Sequence, residues 1–466
     1  MGQIYNNLIY IYNIIYQQPV GMKIKEEQSE MLIFAAMNTK RIAFQTFGCK
    51  LNFAETSAIA RKFTEAGSTE EDFRRKADIY VIHSCSVTAH AEKKTRAAVR
   101  QALRRNPKAS VAVIGCYAQL RPEELKNSGV EIVLGNNEKY QLLEVVSGKQ
   151  YHANTVSDKT LQTSRHFEPG YSISNRTRSF FKVQDGCDYF CTYCAIPYAR
   201  GRSRSATIAE THKVAQKVAN SEIKEMVLTG VNIGDFGHGR KENFFDLLKQ
   251  LEQLDGIERI RISSVEPELL SDQIIELVAK SEKFMPHFHL PLQSGSDRIL
   301  GLMKRKYQRE IFEQRVTKIK SLLPHACIAA DVITGFPDER EEDFEDGYQF
   351  IKSLPISYLH VFTYSSRPGT KAAIMPGHLP ESIKQDRSQK LHTLSDRLKI
   401  LFYQQHTGTA QEVLWESDQQ DGYMYGFTQN YIRCRKPFDA CSINKIEKVT
   451  LTTLHNNEVF EAITSI

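Results

Sequence analysis

The chain has 466 residues, of which 41% are hydrophobic and 25% are charged, and its formal net charge at pH 7 is +6. This length allows two to four domains, and the composition is that of a soluble globular protein rather than a disordered or membrane-embedded one. The mild basic excess is compatible with an RNA partner, but it is equally typical of an ordinary, slightly basic surface.

The first 39 residues differ in character from the rest of the chain. Their longest apolar stretch, residues 8–15, is broken by Asn13 and is far shorter than the roughly 20 residues that a membrane span needs. The stretch also lacks the basic start and the small-residue cleavage site of a signal peptide. We therefore expect residues 1–39 to be a disordered or mis-assigned extension, with a true start nearer Met37. The protein is expected to be cytoplasmic and to have no membrane partner.

From residue 40 to residue 148, strand-like and helical stretches alternate. The strand-like runs read RIAFQTFG, ADIYVIHS, SVAVIG and EIVLGN, and the second and third of them are separated by a helical stretch rich in lysine and arginine. Alternation of this kind predicts a domain built on a parallel α/β sheet.

A cysteine follows each of the first three strand-like runs, at Cys49, Cys85 and Cys116. Open parallel sheets bind ligands at the carboxyl ends of their strands, so these thiols are expected to meet there. The alternative is three unrelated buried thiols, because cysteine packs well as a small hydrophobe. The repeated placement after successive strands favours a shared site.

Two further domains are expected after a polar linker over residues 149–175. Six strand-like runs, separated by helical stretches over residues 176–404, predict a partial barrel of parallel strands with active groups at its carboxyl face. Over residues 405–466, short strand-like runs with turns at Asp421-Gly422 and Asn456-Asn457 predict a small antiparallel β-barrel.

The strongest local signal is the segment GCDYFCTYCAIP, in which Cys187, Cys191 and Cys194 have the spacing CxxxCxxC. Three thiolates in one loop can bind three irons of a cubane cluster and leave the fourth iron open. Zinc is the less favoured alternative, because its fourth ligand would have to come from a distance, from His287 or His289.

This segment, with Tyr193 before its last cysteine, resembles the radical S-adenosylmethionine (SAM) superfamily. The resemblance implies that the open iron binds the amino and carboxyl groups of SAM and that electron transfer into SAM yields a 5′-deoxyadenosyl radical. It also implies cofactor contacts in the strands that follow, at Thr229, Gly230, Asn232, Ser263 and Gln293. Taken singly, each of these positions is typical of a routine turn or strand end.

The order of the segments FQTFGCKLN, HSCSVTAHAEKKTR, VAVIGCYAQ and HLPLQSGSD is similar to that of the methylthiotransferases, from about residue 41 to the C-terminus. This similarity implies that Cys49, Cys85 and Cys116 hold a second 4Fe–4S cluster, which delivers the methylthio group. It also implies that the C-terminal barrel is a TRAM-like domain that binds tRNA. An electron donor such as flavodoxin or ferredoxin is expected, and no sulfur source is identified.

The forms GCKLN and RRNP most resemble the branch that acts on N6-threonylcarbamoyladenosine (t6A), next to the anticodon on its 3′ side. The implied reaction is methylthiolation at C2 of this base, with SAM as both methyl donor and radical source. Isopentenyladenosine tRNA, whose branch usually reads GCQMN, and a ribosomal protein are alternative substrates. A non-catalytic metal-binding RNA module is the alternative of another class. One departure from the family pattern is Asp338, which replaces a glycine in GFPDER and puts a close backbone approach in doubt.

Several basic side chains are candidates for binding anions. Lys93, Arg96, Arg100 and Arg104 share one helix face, for which phosphate binding and simple solvation are both open. Arg200, Arg202 and Arg204 follow the cysteine loop, where they are expected to bind phosphate or a carboxylate, or to form plain salt bridges.

In the last domain, Arg433, Arg435 and Lys436 are expected to bind RNA. Tyr423, Tyr425 and Phe427 alternate along one strand and are expected to lie in the core rather than to stack on bases. Cys327, Cys434 and Cys441 have no spacing partners and are expected to be structural.

Overall fold

A computed structural model describes residues 40–86, 88–148, 164, 166–172 and 177–464. The expectation for residues 1–39, and most of the expected linker over residues 149–175, lie outside the described residues. Among the helices that are described, none combines the length and the apolar character needed to cross a membrane.

The N-terminal part is a five-stranded, wholly parallel sheet in the order β2-β1-β3-β4-β5. Its strands are β1 (Arg41–Thr46), β2 (Thr69–Glu71), β3 (Ile79–Ser84), β4 (Ser110–Gly115) and β5 (Ile132–Leu134). Its helices are α1 (Lys50–Glu65), α2 (Ala89–Arg105), α3 (Cys116–Leu120), α4 (Pro122–Lys126) and α5 (Leu142–Val146). Tyr80 and Ile82 pack into one apolar cluster and Ile79 and Val81 into another, so β3 is covered on both faces. This double burial explains its continuous apolar run.

The central part is the expected partial barrel of six parallel strands. They are β7 (Arg178–Lys182), β8 (Glu225–Thr229), β9 (Arg259–Ile262), β10 (His287–Gln293), β11 (Cys327–Thr334) and β12 (Tyr358–Thr363). Strands β7 to β9 and β10 to β12 form two sheets, which the parallel bridges Ile260–Phe284 and Ser264–His289 join. A short strand, β6 (Gly170–Tyr171), pairs antiparallel with β7 within the stretch expected to be a linker.

Six helices pack on the outer face of this partial barrel. They are α7 (Ile208–Ala219), α8 (Phe244–Glu252), α9 (Asp272–Lys280), α11 (Arg309–Leu322), α12 (Glu341–Ser353) and α13 (Glu381–Gln404). Two shorter helices, α6 (Ile196–Arg200) and α10 (Asp297–Met303), follow the carboxyl ends of β7 and β10. Phe288, Leu290 and Leu292 of β10 belong to the main apolar core. Because side chains alternate along a strand, His289 and Gln293 face the barrel interior instead.

The C-terminal part is a closed five-stranded barrel in the order β13-β14-β15-β17-β16. Its strands are β13 (Ala410–Gln420), β14 (Tyr423–Thr428), β15 (Arg433–Pro437), β16 (Ile446–His455) and β17 (Val459–Thr464). β15 and β17 pair in parallel, and the other neighbours are antiparallel. Asp421 and Gly422 both have positive φ, which is the backbone that their two-residue hairpin requires. Asn456 and Asn457 also have positive φ, in the three-residue loop between His455 and Val459.

The C-terminal barrel covers the amino end of the partial barrel. Arg259 donates to the carbonyl oxygen of Glu412 at 3.0 Å, and Arg261 donates to that of Gln429 at 3.0 Å. The Tyr431 ring stacks on the ring of His287, at the start of β10, with centroids 4.5 Å apart. The carboxyl ends of the strands, where ligands bind in such barrels, therefore face away from this contact.

Helix α1 of the N-terminal part packs along β7, the first parallel strand of the partial barrel. The rings of Phe53 and Phe180 are 6.2 Å apart, and a Cβ atom added at Gly170 would lie 3.1 Å from the carbonyl oxygen of Ala54. This packing brings the carboxyl edge of the N-terminal sheet close to the carboxyl face of the partial barrel.

Candidate active site

The cysteines of the CxxxCxxC segment lie in the loop between β7 and α6. The amide of Cys194 donates to the carbonyl of Cys191 at 3.0 Å, and the amide of Tyr189 lies 3.5 Å from the sulfur of Cys187. Burial raises the pKa of the Cys187 and Cys194 thiols to about 12. Thiolates in such a place need a nearby positive charge, and a coordinated metal centre supplies one.

Arg305 lies against this loop, and the sequence reasoning missed it. Its guanidinium donates to the sulfur of Cys191 at 3.3 Å and to the hydroxyl of Tyr193 at 3.4 Å. It also pairs with the Glu266 carboxylate. Burial raises the pKa of Glu266 to about 7, although the positive charge of Arg305 opposes that rise. The only signal for Arg305 in the sequence is a short basic run after α10, which is also typical of a solvated helix end.

The five expected cofactor-binding positions other than Tyr193 lie at carboxyl ends of neighbouring strands: Thr229 at the end of β8, Gly230 and Asn232 after it, Ser263 after β9 and Gln293 at the end of β10. A Cβ atom at Gly230 would lie 2.8 Å from the carbonyl of Gln184, so only glycine fits without a shift. The polar side-chain atoms of Asn232 and the carboxylate oxygens of Glu268 are buried, and Tyr189 is the neighbouring side chain that interacts with both residues. Buried polar atoms with so few partners fit a site for a polar ligand.

The three N-terminal cysteines lie together at the carboxyl edge of their sheet. Cys49 precedes α1, Cys85 follows β3 and Cys116 is the first residue of α3. Gly48 has a φ of 96°, and a Cβ atom there would lie only 2.7 Å from the Cβ of Cys85. Glycine therefore permits the loop of Cys49 to approach Cys85. Cys85 and Cys116 are buried, whereas Cys49 is exposed.

The short helix α6 links the two groups of cysteines. It begins two residues after Cys194 and ends at Arg200. Asn136 donates to the carbonyl of Ala199 on this helix at 2.7 Å and approaches the sulfur of Cys116 at 3.6 Å. Burial alone would lower the pKa of Arg200, but the charges of Glu55, Cys116, Asp185 and Cys49 hold it well above its ordinary value.

Arg200 belongs to a buried network of charges between the N-terminal part and the partial barrel. The carboxylates of this network are Glu55 and Asp185, and the cations are Lys139, Lys182, Arg200 and Arg204. Four cations against two carboxylates leave an excess of two positive charges among these six side chains. Because Arg200 and Arg204 are fully engaged here, they are ion-pairing residues rather than free binders of phosphate or substrate. Arg202 is half-exposed and pairs with Asp188.

A cavity of about 280 Å³ lies between the segment that follows Cys85 and the cysteine loop. One side is formed by Ser86 and Thr88, which follow Cys85, and the other by Tyr193 and Cys194 of the cysteine loop. The ends of β10, β11 and β12 form its floor, with Gln293 among the lining residues. A molecule in this cavity would contact residues beside both cysteine groups.

Neither His287 nor His289, the candidate zinc ligands, is positioned as a fourth ligand of the cysteine loop. His287 stacks on Tyr431 at the amino end of the partial barrel, away from the cysteine loop. His289 forms a 2.7 Å hydrogen bond with Asp331, and the pair lies near His360 within a possible cation-binding group. Among the described residues, these two histidines add no fourth ligand to the three thiols of the loop, which suits a cluster with an open iron.

Some expectations for the C-terminal barrel are wrong. The Arg433 guanidinium lies 4.3 Å from the ring centroid of Tyr425, and that of Arg435 lies 4.4 Å from that of Tyr423, on the outer face. These tyrosines are not in the core, because Trp415, Met424 and Cys434 fill it. Phe427 stacks on Tyr431 where the two barrels meet.

Lys436 is also unavailable to RNA. It is buried, and its ammonium group donates to Glu447 at 2.5 Å and to Ser442 at 2.7 Å. On helix α2, Lys93, Arg100 and Arg104 are exposed, and Arg96 donates to the hydroxyl of Tyr117 at 2.7 Å. The remaining cysteines differ, since Cys327 and Cys434 are buried in one apolar cluster and Cys441 is exposed.

Asp338 adopts the conformation that a glycine would otherwise provide. Its φ is 64°, in the left-handed region, and its amide donates to the carbonyl of Gly377 at 2.8 Å. Arg298 donates to its carboxylate at 2.8 Å, which helps to hold an unfavourable backbone in place. The loop therefore keeps a close backbone approach without the glycine.

Comparison with known proteins gives matches for both cysteine-bearing parts. Residues 41–135 match the family described as uncharacterized protein family UPF0004, and residues 181–351 match the radical SAM superfamily. The threonylcarbamoyladenosine tRNA methylthiotransferase MtaB of Bacillus subtilis (strain 168) is 39% identical over 422 residues, which are 88% of this chain and 93% of that protein. The tRNA-2-methylthio-N(6)-dimethylallyladenosine synthase of Pelotomaculum thermopropionicum (strain DSM 13744 / JCM 10971 / SI) is 32% identical over 89% of this chain and 95% of that protein.

Among solved structures, the radical S-adenosylmethionine methyltransferase TsrM from Kitasatospora setae, with tryptophan substrate and a SAM analogue bound, superposes with a TM-score of 0.56. The match covers 82% of this chain and 79% of that one, at 14% sequence identity. At this identity the similarity establishes a shared fold and nothing more.

Proposed function

Because the chain belongs to the threonylcarbamoyladenosine branch of the radical SAM methylthiotransferases, we propose that it adds a methylthio group to C2 of t6A next to the tRNA anticodon. Its cofactors are two 4Fe–4S clusters and SAM. The observation that carries the proposal is the cavity lined by Cys194 of the cysteine loop on one side and by Ser86 and Thr88, which follow Cys85, on the other. A base in this cavity is within reach of both groups, as a reaction that needs both a radical and a sulfur donor requires.

Each group of cysteines is assigned one cluster. Cys187, Cys191 and Cys194 hold the cluster at which SAM binds, because burial raises the pKa of all three thiols and coordination to iron would stabilise their thiolates. The second cluster is held by the N-terminal group, Cys49, Cys85 and Cys116. The two excess positive charges of the buried network suit an anionic thiolate-bound cluster beside Arg200.

The strand ends of the partial barrel are assigned to SAM. Tyr193 and Gln293 line the cavity, and Thr229, Gly230, Asn232 and Ser263 lie on the adjoining strands. The buried amide of Asn232 and the tight backbone at Gly230 fit a polar molecule lying close to the chain. The clusters and SAM supply the radical and sulfur chemistry, because hydrogen abstraction from a ring carbon is beyond the reach of side chains.

The protein's own groups hold the base and shield it from water. Phe362 and Tyr364 line the cavity, and Phe362 is exposed at its edge. Aromatic rings at a cavity edge can stack on a base that has left its helix. The partner is tRNA, and we further propose a flavodoxin or ferredoxin as electron donor and the cytoplasm as the place of action.

The nature of the substituent on the target base can be tested with two tRNA pools, one from cells that make t6A and one from cells that cannot. The reconstituted enzyme is expected to methylthiolate only the first pool, because a site that hydrogen-bonds a polar substituent rejects a base that lacks it. Mass spectrometry of digested nucleosides reads the product. Equal activity on both pools, or activity confined to isopentenyladenosine tRNA, would contradict the proposed substrate. Modification of a ribosomal protein instead of either pool would contradict the tRNA assignment.

The outer face of the C-terminal barrel is expected to contribute to tRNA affinity. Changing both Arg433 and Arg435 to Ala should weaken binding by several-fold and reduce the slope of log affinity against log salt by up to about two, since each phosphate contact releases about one counterion. The matched control changes Lys280 and Lys352, which are exposed on α9 and α12, to Ala. An equal loss in the control would show that net charge, rather than this face, sets the affinity.

A further inference from the structure

A row of polar side chains closes one wall of the cavity between the two cysteine groups. The hydroxyl of Ser86 donates to Glu92 Oε1 at 2.6 Å, and Arg367 Nη1 donates to the same oxygen at 2.9 Å. Arg367 Nη2 donates to the hydroxyl of Ser365 at 3.1 Å. These contacts join the N-terminal part, one residue after Cys85, to the loop that follows β12.

Arg367 has hydrogen-bonding capacity that its protein neighbours leave unused. Its side chain is 9% exposed, and its Nε atom is buried with no hydrogen-bond partner among the described residues. It is also the one arginine or lysine among the described residues that line the cavity. A buried guanidinium with a free donor is costly unless a ligand accepts from it, and a carboxylate is the acceptor that matches its geometry best.

The wall around Arg367 is rich in hydroxyl groups. Ser86, Thr88, Thr363 and Ser365 all line the cavity with it. Such a lining would leave polar groups unpaired against a purely hydrocarbon substituent. It suits a substituent that carries both a carboxylate and hydrogen-bonding groups.

We propose that Arg367, together with the hydroxyls of Ser86, Thr88 and Ser365, forms the subsite for the threonyl carboxylate of the substrate base. The inference rests on the proposed function and names the residues that read its substrate. Arg200 and Arg204, which also lie near the cysteine loop, are excluded from this role by their buried ion pairs. Glu92 holds Arg367 in place before the substrate arrives and competes with the incoming carboxylate for it.

A carboxylate in this cavity has two possible sources, since SAM carries one as well. The experiment therefore uses two anticodon stem-loop RNAs, one carrying t6A and one in which the threonyl carboxylate is a primary amide. Their binding to full-length reconstituted protein is measured beside the binding of SAM alone. Wild-type protein is expected to prefer the acid RNA to the amide RNA by about 10- to 100-fold, the range for one charge-assisted hydrogen-bonding partner.

The variant Arg367→Met is expected to bind the acid RNA as weakly as wild-type protein binds the amide RNA, while its affinity for SAM is unchanged. The variant Glu92→Gln, which removes the competing carboxylate, is expected to bind the acid RNA more tightly and so to increase the preference for the acid RNA over the amide RNA. Arg387→Met is the control, because Arg387 is equally buried and ion-paired with Glu339 but lies away from the cavity.

Retained preference for the acid RNA in Arg367→Met would overturn the subsite. A loss of SAM affinity with the acid preference intact would assign Arg367 to the SAM carboxylate instead. If Arg367→Met does not fold, Glu92→Gln decides, and an unchanged or smaller preference in that variant overturns the proposal. If the proposed function itself were wrong, wild-type enzyme would methylthiolate neither RNA. If wild-type enzyme methylthiolated the t6A RNA but bound both RNAs equally, the proposed subsite would be overturned and the proposed function would stand.

Discussion

Replacing Cys191 with Ala is expected to abolish formation of 5′-deoxyadenosine, whereas replacing Cys85 with Ala is expected to leave SAM cleavage and to abolish only the methylthio product. The reason is spatial. Cys191 lies in the loop between β7 and α6, and Cys85 lies at the edge of a separate sheet on the other side of the cavity. Each variant should retain roughly half of the iron of the reconstituted wild-type protein.

The matched control for both variants is Cys441→Ala. Cys441 is exposed in a turn of the C-terminal barrel, so its loss should change neither iron content nor activity. On the same samples, liquid chromatography measures 5′-deoxyadenosine, mass spectrometry of nucleosides measures the methylthio product, and metal analysis measures the iron content. A Cys85 variant that still makes product would refute the role of sulfur donor for its cluster. Zinc in place of iron, without SAM cleavage, would support the non-catalytic RNA module.

The sequence predicted the strands and the placement of the cysteines because both follow from local pattern. β3 and β4 are buried on two faces and β1 buries Ile42 and Ala43, so all three appear as apolar runs, and a cysteine follows shortly after each. The edge strand β2 escaped prediction, since Thr69–Glu71 is polar and mostly exposed. Its pairing with β1 depends on the neighbouring strand and not on its own residues.

The local sequence pattern could not show which face of a strand is buried, or which distant residues a side chain contacts. Alternation placed Tyr423 and Tyr425 on one face of β14, but a period of two does not say which face is inside. Arg200 and Arg204 lie next to the cysteine loop in sequence, yet Glu55, 145 residues from Arg200, decides what Arg200 binds. Arg367 is adjacent to the cavity only because the loop after β12 meets the N-terminal part.

Replacing Glu55 with Ala is expected to give the largest loss of stability of any single substitution in the buried charge network. The Glu55 side chain is fully buried and accepts from Lys139 at 2.6 Å, from Lys182 at 2.8 Å and from Arg200 at 3.0 Å. Its removal leaves three buried cations without this partner, and breaking a buried ion pair in this way costs about 3–5 kcal/mol. The midpoint of urea unfolding of the cluster-free protein measures the loss.

Two further variants show that the charge of Glu55, and not its bulk, stabilises the contact between the N-terminal part and the partial barrel. Glu55→Gln keeps the size of the side chain and should lose much of the same stability, whereas Glu123→Ala removes an exposed ion pair with Lys126 and should shift the unfolding midpoint little.

The stabilisation by Glu55 is also expected to depend on pH. Burial alone would raise the pKa of Glu55, but Arg200, Lys139 and Lys182 hold it well below its ordinary value. A carboxylate with a depressed pKa in the folded state contributes stability that is present above its unfolded pKa of about 4.3 and is lost as the pH falls further. The gap between wild-type protein and Glu55→Gln should therefore narrow below about pH 4. A gap that is absent at pH 7, or that stays constant down to pH 3, would show that Glu55 does not stabilise the interface through its charge.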